Sequence, residues 1–463
     1  MDGIKTKTIK IGGGQGFYGD TVLPSIEMAK RVEGLNYIGY DCLSELTLSI
    51  LQKDKRRDPN RGFTIDLLAL MPKILPIARE KGIKLITNGG GMNPLAARDA
   101  VLGIARKLGI KGLKVAVITG DDIFQRLDEL LAKGHVLTNL DTGAELGPVR
   151  ERVVNANAYL GADVIAQALA QGAEVVITGR VTDSALFLGP LLYEFGWQAN
   201  DWDKLAAGIV CGHLLECAGQ VAGGNYAGGW RDVPNLENIG YPYAEVAEDG
   251  SFVLTKTPDT GGLVSFGTVR EQLLYEVLDP NHYLSPDVDA DFTSVHLEDA
   301  GQNRVRVWGM QGRPKPETLK VCIGYEDGWI GEAQIAYSWP DALEKAQKAD
   351  QILRQRFAIT GLKYDEIRTD FIGYNALHGP LACSMPDPTE LNEVVLRLAV
   401  RVQEEKEAEK VFRELVPLGL NGPPTASGVG GGRSRSRELL ALWPSLISRQ
   451  EVEPFVKIEI IES

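Results

Sequence analysis

Five short runs rich in Val and Ile, at residues 8–11, 37–40, 84–87, 114–119 and 174–178, alternate with longer segments of helical period. Short strands separated by helices do not build a meander. They require βαβ crossovers and a parallel sheet. Such a sheet gathers its strand exits along one edge, and ligands bind there. Here every exit is glycine or polar: residues 12–19, Asp41-Cys42, Asn88-Gly89-Gly90-Gly91, Gly120-Asp121-Asp122 and Gly179-Arg180. The expected fold is α/β, a Rossmann-like and mostly parallel sheet with helices on both faces over residues 1–300. Residues 218–268, rich in Gly, Asn and Pro, read as long loops inside it. After about residue 304 the order becomes strands, helix, strands, helix, which predicts a smaller α+β domain of ferredoxin-like character over 301–463. Residues 65–81 read as a helix that Pro72 and Pro76 either break or kink, and residues 157–171 as another helix.

The first exit reads Gly14-Gln15-Gly16-Phe17-Tyr18-Gly19, a G-x-G-x-x-G, with a helical run after it and Asp41 ending the next strand. Glycines at such a turn let a phosphate approach backbone N–H groups at a helix N-terminus. Asp20 stands where a pyrophosphate would lie, and like charges repel. Three readings stay open: a tight turn that needs glycine for packing, a small anionic or nucleotide-like ligand, and NAD.

The chain has 463 residues, a length that predicts two to three domains. Its formal net charge of −13 argues against nucleic acid or an anionic membrane as a partner. Absence of a long apolar run and of an apolar signal core predicts a cytoplasmic protein without a membrane span. The five cysteines are scattered, with no C-x-x-C, which fits a reducing compartment.

Candidate chemistry sits at five places. His213, Glu216 and Cys217 fall on one face of a predicted helix, where imidazole, carboxylate and thiol serve as base and nucleophile or as metal ligands. The bland alternative is a packed helix with a satisfied histidine. Arg180 and Asp183 follow a strand. Arg180 either clamps a carboxylate or phosphate or forms an internal ion pair, and Asp183 caps, orients or accepts a proton. Cys42 opens a helix, which lowers a thiol pKa, although buried inert cysteine is commoner. Asn88 and Gly90 suit an oxyanion, or else form an ordinary glycine turn. Arg433 and Arg435, interleaved with serines after a glycine run, suit a coenzyme A phosphate or an acidic neighbouring subunit. No P-loop, G-x-S-x-G elbow, H-E-x-x-H or zinc-finger spacing occurs. Whether a metal or nucleotide binds is left open by the residues.

Several phrases together resemble the acyclic terpene utilisation (AtuA-like) family. They include Ile11-Gly12-Gly13-Gly14 through Gly19-Asp20, Thr87-Asn88-Gly89-Gly90-Gly91, Ile177-Thr178-Gly179-Arg180-Val181-Thr182-Asp183, Gly212-His213-Leu214-Leu215-Glu216-Cys217 and Asn421-Gly422-Pro423-Pro424. The resemblance spans nearly the whole chain. It implies bacterial breakdown of citronellol- and geraniol-type compounds through branched acyl-CoA thioesters, and no defined step. The leading expectation is a lyase or hydratase acting on a carboxylate or acyl-CoA thioester, with coenzyme A as part of the substrate. Its proposed parts are Glu216 or His213 as base and Asn88 as oxyanion donor. The substrate-binding set is Gly14, Gly16, Gly19, Asp20, Asp41, Asn88, Gly90, Arg180, Arg433 and Arg435. Asp183 and Cys217 join His213 and Glu216 as catalytic candidates. The alternatives are an NAD-dependent oxidoreductase and a non-catalytic subunit that binds a partner enzyme. A homo-oligomer is expected.

Overall fold

The computed structural model describes residues 7–382, 391–428 and 436–463. The chain divides into two compact units, 1–324 with 442–463, and 325–441.

In the first unit, β1 (Thr8–Gln15), α1 (Leu23–Arg31), β2 (Tyr37–Tyr40), α2 (Glu45–Arg57), α3 (Asp66–Lys81), β3 (Lys84–Thr87), α4 (Pro94–Lys107) and β4 (Lys114–Thr119) follow the expected alternation. Next come a short α5 (Leu127–Ala132), β5 (Val153–Ala158), α6 (Asp163–Ala170), β6 (Val175–Thr178), α7 (Ala185–Phe195) and α8 (Trp202–Glu216). After the glycine-rich segment lie β7 (Pro242–Ala247), β8 (Phe252–Lys256) and α9 (Phe266–Leu274).

Strands β1, β2, β3, β6 and β4 lie side by side in that order, all parallel. Their exits therefore share one edge: Gln15 stands opposite Tyr40, Tyr40 opposite Thr87, and Thr87 opposite Ile177. Beyond β1 the sheet turns antiparallel through β7, β8, Val305–Trp308 and His296–Asp299. Beyond β4 it ends on antiparallel Lys457–Glu462. Val305–Trp308 and Lys457–Glu462, expected with the later domain, thus belong to this ten-stranded mixed sheet. Alternation marks a strand but does not name its partner.

Helices cover both faces. On one, α1, α3 and α4 bury Met28, Leu70, Ile74 and Val101 against Ile38, Leu85 and Val115. On the other, α6 packs on β4 and β6, α7 on β1 and β2, and α8 on β1 and β7. The helix expected over 65–81 is present as α3, and neither Pro72 nor Pro76 breaks it. Residues 153–158, partly read as helix, form β5, and α6 begins only at Asp163.

Helix α8 is buried without interruption from Leu205 to Glu216. A helix apolar all round belongs to a core rather than a surface. Its C-terminal end lies against the glycines of β1. A Cβ on Gly13 would fall on the Leu215 carbonyl oxygen, and one on Gly16 would lie 2.9 Å from the Cys217 carbonyl carbon. These glycines are selected by close approach of strand and helix.

The second unit is an antiparallel sheet in the order Glu366–Ile372, Glu393–Val402, then the Trp329–Ser338 stretch of the run Thr318–Ser338, then Ala426–Gly428. Helices Ala342–Thr360 and Glu405–Leu415 pack on its central strand around Tyr337, Phe357, Leu396 and Val411. The helix expected over the charged run 404–414 is present with one apolar face.

Gly13→Ala forces β1 and the end of α8 apart and is expected to cost roughly 1–3 kcal/mol of stability, read by urea titration. An unchanged midpoint would mean that the helix end retreats freely.

Candidate functional site

The glycine turn after β1 is already filled by the protein's own acids. The Gly16 N–H donates to Asp20 Oδ2 at 3.0 Å, the Thr21 N–H to Asp20 Oδ1 at 2.7 Å and the Gly19 N–H to Asp66 Oδ2 at 2.7 Å. The Gln15 amide also donates to Asp66 Oδ2 at 2.7 Å, and the Tyr241 hydroxyl to Asp20 Oδ1 at 2.8 Å. N–H groups that would face a phosphate in a dinucleotide turn are thus committed to carboxylates. Gly14 sits within β1 against Tyr40 and Ile38, and Gly90 sits in a turn against the Thr178 carbonyl oxygen and Pro94. Gly14 and Gly90 thus serve close packing, and the N–H groups of Gly16 and Gly19 are already taken.

At the exits of β2, β3, β4 and β6 a buried polar layer forms. The Asn88 amide donates to Asp41 Oδ1 at 2.7 Å, and its oxygen accepts the Cys42 N–H at 2.7 Å. Asn88 is fully enclosed, so it holds Asp41 in place. Arg180, 1% exposed, spends its guanidinium inside the protein. Its Nε donates to the Val181 carbonyl at 2.7 Å, its Nη1 to the Leu43 carbonyl at 2.8 Å and its Nη2 to Asp183 Oδ1. Its plane lies over the Tyr159 ring at 4.4 Å. The internal ion pair, one of the two readings of this arginine, is the arrangement present. The Arg180 N–H and the Asn157 amide both donate to Asp121 Oδ2 at 2.8 Å.

Above this layer opens a cavity of about 520 Å³ within the first unit. Five carboxyl groups line it, Glu45, Asp183, Glu216, Glu276 and Asp279, with Lys320 and the imidazoles of His213 and His282. His213 and Glu216, three residues apart on α8, meet at 3.0 Å through Nδ1 and Oε1. The other ring nitrogen, Nε2, lies 2.8 Å from the Gln272 carbonyl oxygen on α9. Both nitrogens face acceptors, and neutral imidazole has only one N–H. The pair therefore holds a second proton, on the ring or on the carboxyl. Burial disfavours a charged His213, but the Glu216 hydrogen bond and charge, with the Gln272 carbonyl, outweigh it and raise its pKa. Edge contacts with Tyr283 and Phe292, at ring separations of 5.7 and 5.3 Å, fix the imidazole. Glu216 is 6% exposed, and its Oε2 is buried with no hydrogen-bond partner.

The carboxyls are sorted by their surroundings. Burial raises Asp183 to about 6; Arg180 opposes this, and Glu216 adds to it. Its side chain keeps 35% of its exposure yet lines a protein-walled cavity, so its solvation is poorer than that figure suggests. Burial and the Asp183 charge push Asp41 well above the usual range, against Arg180 and Asn88. Burial likewise raises Asp121 to about 6. Glu45 goes the other way. Burial opposes its ionisation, but Lys320 at 2.9 Å and the Tyr159 hydroxyl at 2.7 Å hold it at about 2. Neighbouring carboxyls with opposed shifts put a group that keeps its proton beside one that stays ionised.

The model for the acyclic terpene utilisation family protein AtuA matches residues 9–458. The chain belongs to that family. No curated protein and no solved structure matches it. Among the candidates named from sequence, this family member brings His213, Glu216 and Asp183 to one cavity, with Arg180, Asp41 and Asn88 beneath them. Cys217 caps α8 and is not among the residues that line the cavity, and burial and the Glu216 charge raise its thiol pKa. The Cys42 thiol is raised too, because burial outweighs any benefit of its helix. Arg433 and Arg435 lie outside the described residues. Tyr159, Lys320, His282 and Tyr283 carry no motif and were missed. Among the described residues, no group of three or more His, Cys, Asp or Glu side chains is placed to hold a metal ion, and no helix is long and apolar enough to cross a membrane.

Arg180→Met leaves Asp41 and Asp183 without their cation and is expected to cost about 3–5 kcal/mol. Asp183 has a folded-state pKa raised from 3.8 to about 6. It therefore withdraws stability as pH rises through that window, and further without Arg180. Denaturant titrations should show the loss greater on the alkaline side of about pH 6 than on the acid side. A pH-independent loss would refute the charge argument.

Proposed function

We propose that the chain adds water to, or eliminates it from, an acyl-CoA thioester whose uncharged acyl end is held in the carboxyl-lined cavity. The observation that carries this reading is Glu216, which lines the cavity: one oxygen is held by a proton-sharing histidine, and the other is buried without a hydrogen-bond partner. That oxygen is a base positioned before substrate arrives. Family membership supports a role in the breakdown of acyclic terpenes.

Cavity charge selects between the two substrate classes. Five carboxyls against Lys320 and two imidazoles repel a free carboxylate. A thioester carbonyl is uncharged, and it acidifies the adjacent carbon. In the hydration direction, Glu216 Oε2 takes a proton from water as the oxygen bonds to the β-carbon. The electron pair of the double bond moves onto the thioester as an enolate. Protonated Asp183 then returns a proton to the α-carbon, and elimination is the reverse. Asn88 is committed to Asp41, so the oxyanion donor passes to the cavity wall. Tyr283 is the candidate, because burial and the surrounding carboxylates raise its phenol pKa and keep it a donor.

Glu216→Gln and Asp183→Asn are each expected to lower kcat roughly 10²–10⁴-fold on branched enoyl-CoA or 3-hydroxyacyl-CoA thioesters, with KM little changed. Because Asp183 acts while protonated, the wild-type hydration rate should fall above about pH 6, and this limb should vanish in Asp183→Asn. Wild-type protein inert toward every thioester, with the fold intact, would remove the proposal.

A further inference from the structure

A second cavity of about 530 Å³ lies in the first unit, and it shares Pro286 and Leu319 with the carboxyl-lined one. Each has the volume of a small-molecule site, about 300–1,000 Å³. Their linings contrast. The second is walled by Leu160, Val164, Leu192, Trp197, Leu205 and Ile458.

Its polar groups are mostly spent on the protein itself. Both Asp287 oxygens accept the Ala162 N–H, at 2.9 and 3.1 Å. Arg449 donates to the carbonyls of Pro316 and Pro286 and pairs with Glu453 at 2.7 Å. The Trp197 indole donates to the Glu248 carbonyl at 3.0 Å, and Gln167 to Asp163 at 3.4 Å. Lys315 is the remaining charged lining residue. A guest with amides finds few free hydrogen-bond partners here, whereas an aliphatic guest covers the apolar wall and leaves those internal bonds in place.

We infer that this second cavity takes the aliphatic tail of the substrate, leaving its thioester among the carboxyls across Pro286 and Leu319. The inference rests on the proposed function for its thioester and on the cavity alone for its tail. The tail therefore sets chain-length preference, and the carboxyl cavity sets reaction type.

Two filling variants test it, Ala166→Trp on α6 and Ala199→Trp at the exposed rim, both at lining positions. The second keeps the test alive if the first does not fold. Binding of the n-alkanols from butanol to dodecanol is measured by calorimetry, alongside kcat/KM for acyl-CoA thioesters of the same lengths. In wild type, affinity for the alkanols should rise up to about fourfold per added methylene until the cavity is full. In both variants that gradient should flatten, and the ratio of long-chain to short-chain kcat/KM should fall at least tenfold. Alkanol affinity indifferent to length, or a gradient preserved in both variants, overturns the inference. A gradient lost in the variants with no thioester turned over upholds the tail cavity and removes the hydratase reading instead.

Discussion

One guanidinium, sunk beneath the strand exits, governs which acids around it can exist as anions. Burying a charge is tolerable only when every donor finds an acceptor. Arg180 meets that demand with two backbone carbonyls, Asp183 and the face of Tyr159. It cannot also neutralise Asp41 fully, so protons stay on the carboxyls of this layer well above the usual range. Glu45, a short distance along the chain, has Lys320 to itself and stays ionised. Acid and base character thus come from the distribution of two cations among several carboxyls.

The same economy explains the glycines. A phosphate-binding turn needs free N–H groups and a helix N-terminus facing open space. In this chain Asp20 and Asp66 take the N–H groups, while the glycines of β1 admit the end of α8. That helix end carries His213 and Glu216. The glycine pattern therefore serves the site indirectly, by letting a buried helix approach the sheet closely enough to present its last turn to the cavity.

Much of this was legible before any coordinates. Period alone exposed the parallel strands, and their polar exits pointed to one edge. The three-residue interval between His213 and Glu216 pointed to one helical face. The misreadings also have causes. Residues 153–158 form one strand, Val-Val-Asn-Ala-Asn-Ala, but its last two residues, Asn157 and Ala158, were absorbed into the helix that follows. Cys217 kept helical spacing on paper but lies where the helix stops. Tyr159, Lys320 and Tyr283 left no signal, because they come from segments far apart in the chain that carry no shared spacing.

The amino-acid sequence by itself determined the elements, the direction of the central strands and the family, since these follow from local period, crossover chirality and extended similarity. Tertiary structure alone decided which exits are open and which are filled, whether Arg180 faces a ligand or an internal partner, and which carboxyls keep a proton. Those outcomes depend on burial and on charges brought together from distant segments, and neither quantity is a property of any local stretch of chain.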